Sequence, residues 1–165
     1  MDGVTAVVVE PNPTRRRLAE ELGAAVTIDG THADLQGAIR GSLPQGLQGA
    51  VECSGHPSAR AGAVASLAPG GAAVVAGAPP VGTAVELDVF DLTLGSKRIL
   101  GSCQGNSEPA EMIPYLAGLV GHGQLPLDRL VTTYPLEEIE RAAADMSAGR
   151  VIKPVLVFSQ ADSRD

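Results

Sequence analysis

The chain has 165 residues, 44% of them apolar and only 2% aromatic, with 20 glycines and a formal net charge of -7. Such a length suits one domain or one and a part, with a core built from Ala, Val, Leu and Ile. The acidic balance argues against nucleic acid, no apolar run nears the roughly 18 residues of a membrane span, and two cysteines are too few for a disulfide framework, so the expected setting is the cytoplasm.

The run Val4 to Val9, VTAVVV, predicts a strand buried on both faces, ended by Glu10. Asn12 as N-cap, Pro13 at the first helical position and Gly23 at the end predict a helix between them, with Leu18 and Leu22 as its buried stripe. Arg15 to Arg17 are expected to solvate that helix. A carboxylate at the tip of a second parallel strand is where doubly wound folds hydrogen-bond the ribose of NAD, and Glu10 suits that place; it also reads as a surface acid in a turn. The companion Gly-rich loop belongs roughly 20 residues before the acid. Only nine residues precede Glu10.

Ala24 to Ile28 predicts the next strand, Asp29 to Thr31 a turn, and Ala33 to Arg40 a weak helix. Gly49 to Cys53 predicts a third strand. The spacing of Ala59, Ala63, Val64 and Leu67 predicts a helix ended by Pro69, Gly70 and Gly71, with a strand over Ala72 to Ala76. Strands alternating with helices at this spacing imply parallel β-α-β units. Ala78 to Gly82 breaks the pattern, and the connection to a strand at Arg98 to Gly101 carries no good helix signal. Its apolar residues Val85, Leu87, Val89 and Leu92 can serve to pack on the domain or to pair with a second subunit.

Ser107 to Val120 predicts a helix capped by Ser107, with Ile113, Leu116, Leu119 and Val120 inward. Leu130 to Tyr134 predicts a short strand, and Leu136, Ile139, Ala143 and Met146 the stripe of a helix closed by Gly149. Val151 to Phe158 predicts the last strand, at an edge because of Pro154. The tail from Ser159 is expected to fray.

His32, His56 and His122 lie far apart, each near a predicted helix end, which argues against a metal site. Cys53, at a strand end, reads as a small buried thiol. Ser54, Gly55 and Gly77 follow strand ends, where a missing side chain lets a ring or ribose approach the backbone; they also read as turn residues. Ser102 to Asn106 ends another strand and offers backbone N–H groups. Lys153, the one basic residue in an apolar strand, reads as a snorkelling edge residue or a charge for a phosphate.

Four blocks in order, VVVEPNPTRRRLAEELGA, AVECSG, LAPGGAAVVAGAPP and PLEEIERAAADMSAGRVIKPVLVF, resemble the cofactor-binding and C-terminal parts of medium-chain, zinc-type alcohol dehydrogenases. The stretch GSCQGNSEPAEMIPYLAGLVGHGQLPLDRLV looks most like the aryl or benzyl alcohol dehydrogenase branch. The resemblance implies an α/β fold: an incomplete doubly wound, Rossmann-type parallel sheet over 1–101, lacking its first strand and helix, then the C-terminal part of a catalytic domain over 102–165. It implies that Glu10 takes the place of the ribose-binding acid, Arg15 that of a basic residue near the adenosine ribose or its phosphate, and Lys153 that of a basic residue reaching the pyrophosphate. The backbone at Ala76, Gly77 and Ala78 matches the segment facing the nicotinamide, and Val85 to Leu87 a segment used in subunit pairing.

The family's zinc ligands, proton-relay residues, structural-zinc cysteines and Gly-rich loop lie in an N-terminal half that these residues do not contain. Zinc is therefore expected in full-length relatives and has no ligands here, and no catalytic residue is assigned. The expectation is a truncated NAD-dependent enzyme, inactive alone, whose relatives oxidise primary or aryl alcohols. NADP is disfavoured by the Glu10 carboxylate, although Arg15 to Arg17 keep it open. A non-catalytic nucleotide-binding or pairing module, with a homodimer through 85–92, is the alternative; a methyltransferase on a similar fold would need a Gly-rich first loop too. In the order 3-2-1-4-5-6 the missing strand sits mid-sheet. The strands at Val4 and Gly49 then either become neighbours or leave an exposed, association-prone region.

Overall fold

Residues 3–158 are described in a computed structural model. Its contacts divide the chain into two units, Met1–Asn106 and Ser107–Asp165.

In the first unit β1 (Val7–Val9) runs parallel to β2 (Val26–Ile28), with Val7 opposite Val26. Helix α1 (Pro13–Glu21) joins them, and Asn12 caps it by accepting from Thr14 N at 2.9 Å and Arg15 N at 3.3 Å. Gly23, at φ 100°, ends the turn that follows, and its N–H bonds to Glu20 O at 3.0 Å. The expected α1 stripe is half wrong. Leu18 is half-buried, but Leu22 is exposed because it stands at the C-cap, beyond the last helical turn.

Helix α2 (Leu35–Ser42) starts two residues later than the expected Ala33, because the Asp34 side chain takes the N-cap and accepts from Gly37 N at 2.8 Å. A second parallel sheet follows: β3 (Leu47–Glu52), β4 (Leu67–Val75) and β5 (Arg98–Gly101), in that spatial order, with α3 (Pro57–Ala65) between β3 and β4. Pro69, Gly70 and Gly71 do not end a helix, as expected, but form an irregularity inside β4. The helix stops at Ser66, and the register shifts between the pairs Leu47↔Leu67 and Gly49↔Ala72. Gly71 is required there, since a Cβ would lie 2.8 Å from Leu47 O and 2.9 Å from Ala68 O.

The core beneath this sheet is Val64, Leu67 and Ala73, with Leu47, Ala50 and Leu87 packed against it. Leu87 thus packs on its own domain. The segment 83–88 forms no strand and leads into α4 (Val89–Leu94), a helix unsignalled by periodicity but started by Asp88, which accepts from Phe90 N at 2.9 Å and Asp91 N at 3.1 Å. Buried Lys97 is neutralised by Asp91 at 2.6 Å.

The order β2-β1 beside β3-β4-β5 follows the doubly wound order 3-2-1-4-5-6, except that no described strand stands between β1 and β3. The two strands do not pair. A cleft of about 660 Å³ lies between them, lined by Val4, Val7 and Val9 on one side and Leu47, Ala50 and Val51 on the other. Of the two expected outcomes, the strands do not become paired neighbours, and the region between them is exposed. Val51 is 68% exposed. Such apolar exposure marks an association surface, and the native chain is expected to bind the dye ANS, with the signal reduced in Val51→Lys. Absence of dye binding by the wild-type chain would mean that the cleft is closed in solution.

The second unit holds α5 (Pro109–Gly121), β6 (Val131–Pro135), α6 (Ile139–Ser147) and β7 (Lys153–Val157), with β6 and β7 parallel. Glu108, not Ser107, caps α5, and Ile113, Leu116 and Val120 are exposed rather than inward; Leu119 is half-buried. The α6 stripe is also rotated. Ala142 is buried while Leu136, Ile139, Ala143 and Met146 are exposed, because Asp145 turns inward to accept from Tyr134 Oη at 2.8 Å and Arg150 Nε at 2.6 Å. The Tyr134 bond is the main reason that the Asp145 carboxyl lies below its ordinary value and the Tyr134 phenol above its own. Pro154 is tolerated in β7, whose paired neighbour among the described residues is β6 alone. The tail expected to fray from Ser159 lies outside the described residues.

Candidate functional site

The carboxyl ends of β1, β3 and β4 carry most of the candidate residues. Glu10 follows β1, and its Oε1 accepts from Asn12 N at 2.8 Å, which fixes the carboxylate at the start of α1. Arg16 does not simply solvate the helix as expected. Its Nη1 donates to Glu10 O at 2.6 Å and Pro11 O at 2.7 Å, and its Nη2 pairs with Asp29 at 3.1 Å, so it ties the ends of β1 and β2 together. Hydrogen bonds from the Thr31 backbone and hydroxyl, with Arg16 assisting, hold the Asp29 carboxyl below its ordinary value. Glu10, Arg15 and Ser54 line one cleft, the one between β1 and β3.

The ledge beyond β3 and β4 is built around Glu52, a residue not singled out by pattern. Glu52 is 5% exposed, and its Oε1 accepts from Ser54 N at 2.6 Å, Ser54 Oγ at 2.6 Å and Gly55 N at 2.9 Å. Its Oε2 accepts from Arg60 Nη2 at 3.2 Å, and the same nitrogen donates to Gly77 O at 3.0 Å. Burial pushes the Glu52 carboxyl up, and these hydrogen bonds outweigh it, so the group lies below its ordinary value. The Ser54 hydroxyl gives its proton to Glu52 and accepts from His56 N at 3.0 Å, so its donor is already committed within the loop.

Gly55, at φ 72°, and Gly77 are glycine for packing of loop on loop. A Cβ on Gly55 would lie 3.1 Å from Ala78 O; one on Gly77 would collide with Gly55 N and lie 2.8 Å from Cys53 C. The space beside Gly77 is therefore filled by Gly55, and a ring would have to reach this backbone from another side. Ala76 and Ala78 are exposed on either side of it. Lys153 is exposed on β7 in the other unit, opposite Val131.

Cys53 is exposed, not buried as expected, because the strand ends at Glu52 and leaves it in the loop; Cys103 is exposed too. His32 Nδ1 accepts from Asp34 N at 3.1 Å, and His56 Nδ1 bonds Ser58 Oγ at 2.9 Å, both local. The 3₁₀ turn Gln104–Asn106 follows β5, with all three residues at positive φ. Among the described residues no group of three or more His, Cys, Asp or Glu could hold a metal ion, and no helix is long and apolar enough to cross a membrane.

An acid at one strand tip and a bonded ledge at the tips of two others, on parallel sheets flanked by helices, place the chain in the doubly wound α/β class. Residues 1–118 match the model of the zinc-binding dehydrogenase family, and the chain belongs to that family. It is 36% identical over 154 residues to the geraniol dehydrogenase of Castellaniella defragrans, a match spanning 92% of this chain and 41% of that protein. Among solved structures it resembles benzyl alcohol dehydrogenase from Acinetobacter calcoaceticus (TM-score 0.89, 36% identity, 93% of this chain and 42% of that one). It also resembles an alcohol dehydrogenase zinc-binding domain protein from Burkholderia ambifaria (TM-score 0.91, 40% identity, 95% and 42%). The chain thus spans about two fifths of the length of the curated relative it matches. The family's zinc does not fit these residues, for want of a ligand group among those described. The Glu10 carboxylate, fixed by Asn12 N, lines the cleft together with Arg15 and Ser54.

Proposed function

We propose that residues 1–101 form the partial NAD-binding domain, and 102–165 the C-terminal part of the catalytic domain, of an NAD-dependent alcohol dehydrogenase. The observation that carries this reading is the Glu10 carboxylate, fixed by Asn12 N at the mouth of the cleft that Arg15 and Ser54 also line. Glu10 takes the adenosine ribose, Arg15 stands near it, and the ledge at Ser54, Gly55, Ala76, Gly77 and Ala78 meets the nicotinamide half. Two relatives are named for geraniol and for benzyl alcohol, primary alcohols whose carbinol carbon adjoins a double bond or ring. That is the substrate class of the complete enzyme, which transfers a hydride from the alcohol to NAD and releases a proton and an aldehyde. The chain alone is inactive because the zinc ligands must come from outside these residues. A cytoplasmic setting accords with the two free, exposed thiols.

Calorimetric titration with NADH tests the reading. The chain is expected to bind NADH with micromolar affinity, more tightly than it binds NADPH, and Glu10→Ala to weaken NADH about 10–100-fold, the loss of one hydrogen bond to a charged acceptor. A folded chain that binds neither nucleotide, or a Glu10→Ala variant that binds as well as the wild type, overturns it. Reduction of NAD with a primary alcohol by the chain would overturn the inactivity.

A second reading, a pairing module, is favoured by α4, where Val89, Phe90 and Leu94 are each at least 68% exposed. A clean monomer in sedimentation would count against it.

A further inference from the structure

The Glu52–Arg60 pair is an ion pair of the first unit with both side chains largely buried, and nothing in the ribose site requires it. Arg60 comes from the middle of α3, amid small residues, with its side chain 13% exposed and that of Glu52 4% exposed. One nitrogen, Nη2, holds both the carboxylate that organises the loop 53–55 and the carbonyl of Gly77 in the loop 76–78. Arg60 Nε is buried with no partner. A buried ion pair is a weak source of stability, because desolvation offsets the attraction and apolar residues of similar volume do as well. It does fix direction. Three donors converge on one carboxylate oxygen and one guanidinium nitrogen joins two loops, which sets where their backbones stand.

We propose that Glu52 and Arg60 are positioning residues for the nicotinamide half of the dinucleotide, holding the β3 and β4 loops at the spacing that half requires. This rests on the NAD reading above. The adenosine half meets Glu10, which belongs to the other sheet and has no bond to the pair, so the two halves of the ligand report separately on the two features. Pre-organising the ledge lowers the ordering cost of binding.

The test compares NADH with ADP-ribose, which lacks the nicotinamide, by calorimetry on the wild-type chain and on Arg60→Met, below the melting temperature of both. Arg60→Met is expected to weaken NADH about tenfold and leave ADP-ribose unchanged. Equal binding of NADH by variant and wild type, or parallel weakening of both ligands, overturns the positioning role. Should Arg60→Met fail to fold, Glu52→Gln, which keeps the shape and one acceptor oxygen, is read by the same two ligands and the same criteria. A folded wild-type chain that does not bind NADH overturns the NAD reading and this inference with it, whereas a wild-type chain that binds NADH no better than Arg60→Met does overturns the positioning role alone.

Discussion

Glu52→Leu is expected to destabilise the chain by about 3–5 kcal/mol, the usual cost of removing one partner of a buried pair and leaving the other uncompensated. Arg60 would keep only Gly77 O as acceptor, and Ser54 N, Ser54 Oγ and Gly55 N would lose theirs together. Urea unfolding at neutral pH measures it; a loss below about 1 kcal/mol, the scale of a single neutral hydrogen bond, would mean that the carboxylate is not buried as described. The pH dependence has a definite sign. The folded-state pKa of Glu52 lies below the ordinary 4.5, so its stabilisation is fully present above that pH and is lost as pH falls further through the folded value. Asp29 and Asp145 are lowered too, so the wild-type curve alone mixes three groups. The difference between wild type and Glu52→Gln isolates one: it is expected to be constant from pH 6 to pH 8 and to narrow only below 4.5. A difference that narrows near pH 6 would assign the effect to another group.

The legibility of this fold in its sequence follows from how local each signal is. Asn12, Pro13 and Gly23 act within a few residues of the helix they bound, and α1 stands where they place it. The strand at Arg98–Gly101 was likewise readable from its own residues. Helix faces were less so. Leu22, Ile113, Ile139 and Met146 fall on apolar stripes at helical spacing, yet they are exposed, because periodicity names a stripe without saying what lies opposite it. Asp145 shows the reverse case, a charged residue drawn inward by Tyr134, which is distant in sequence. Glu10 stands out in the sequence because an acid at a strand tip is a local mark. Glu52 and Arg60 were not, since each looks ordinary alone and only the close approach of the loops after β3 and β4 joins them. The cleft between β1 and β3 belongs to the legible part: sheet order predicts which two strands face each other there, and the structure leaves them unpaired.

Gly77→Ala puts the second large effect at the same ledge by steric means. The added Cβ would collide with Gly55 N and stand 2.8 Å from both Cys53 C and Gly55 Cα, all backbone atoms that cannot rotate away. Neither loop can retreat freely. Gly55 N is held by Glu52 Oε1 at 2.9 Å, Gly77 N by Glu52 O at 2.8 Å, and Gly77 O by Arg60 at 3.0 Å. Relief of the clash therefore breaks at least one of these bonds, and the expected cost is about 1–3 kcal/mol, or about 2–12 °C in melting temperature for a chain of this size. Gly101→Ala is the matched control, because a Cβ there meets nothing within 4 Å and its φ is not positive. It should melt within about 2 °C of the wild type, as exposed substitutions away from special backbone do. If both variants melt together, the loops after β3 and β4 do not touch in solution. If Gly77→Ala alone is destabilised and Glu52→Gln in the same background adds less than it does in the wild type, the collision and the ion pair act on one joint, because neighbouring changes that share partners are not additive.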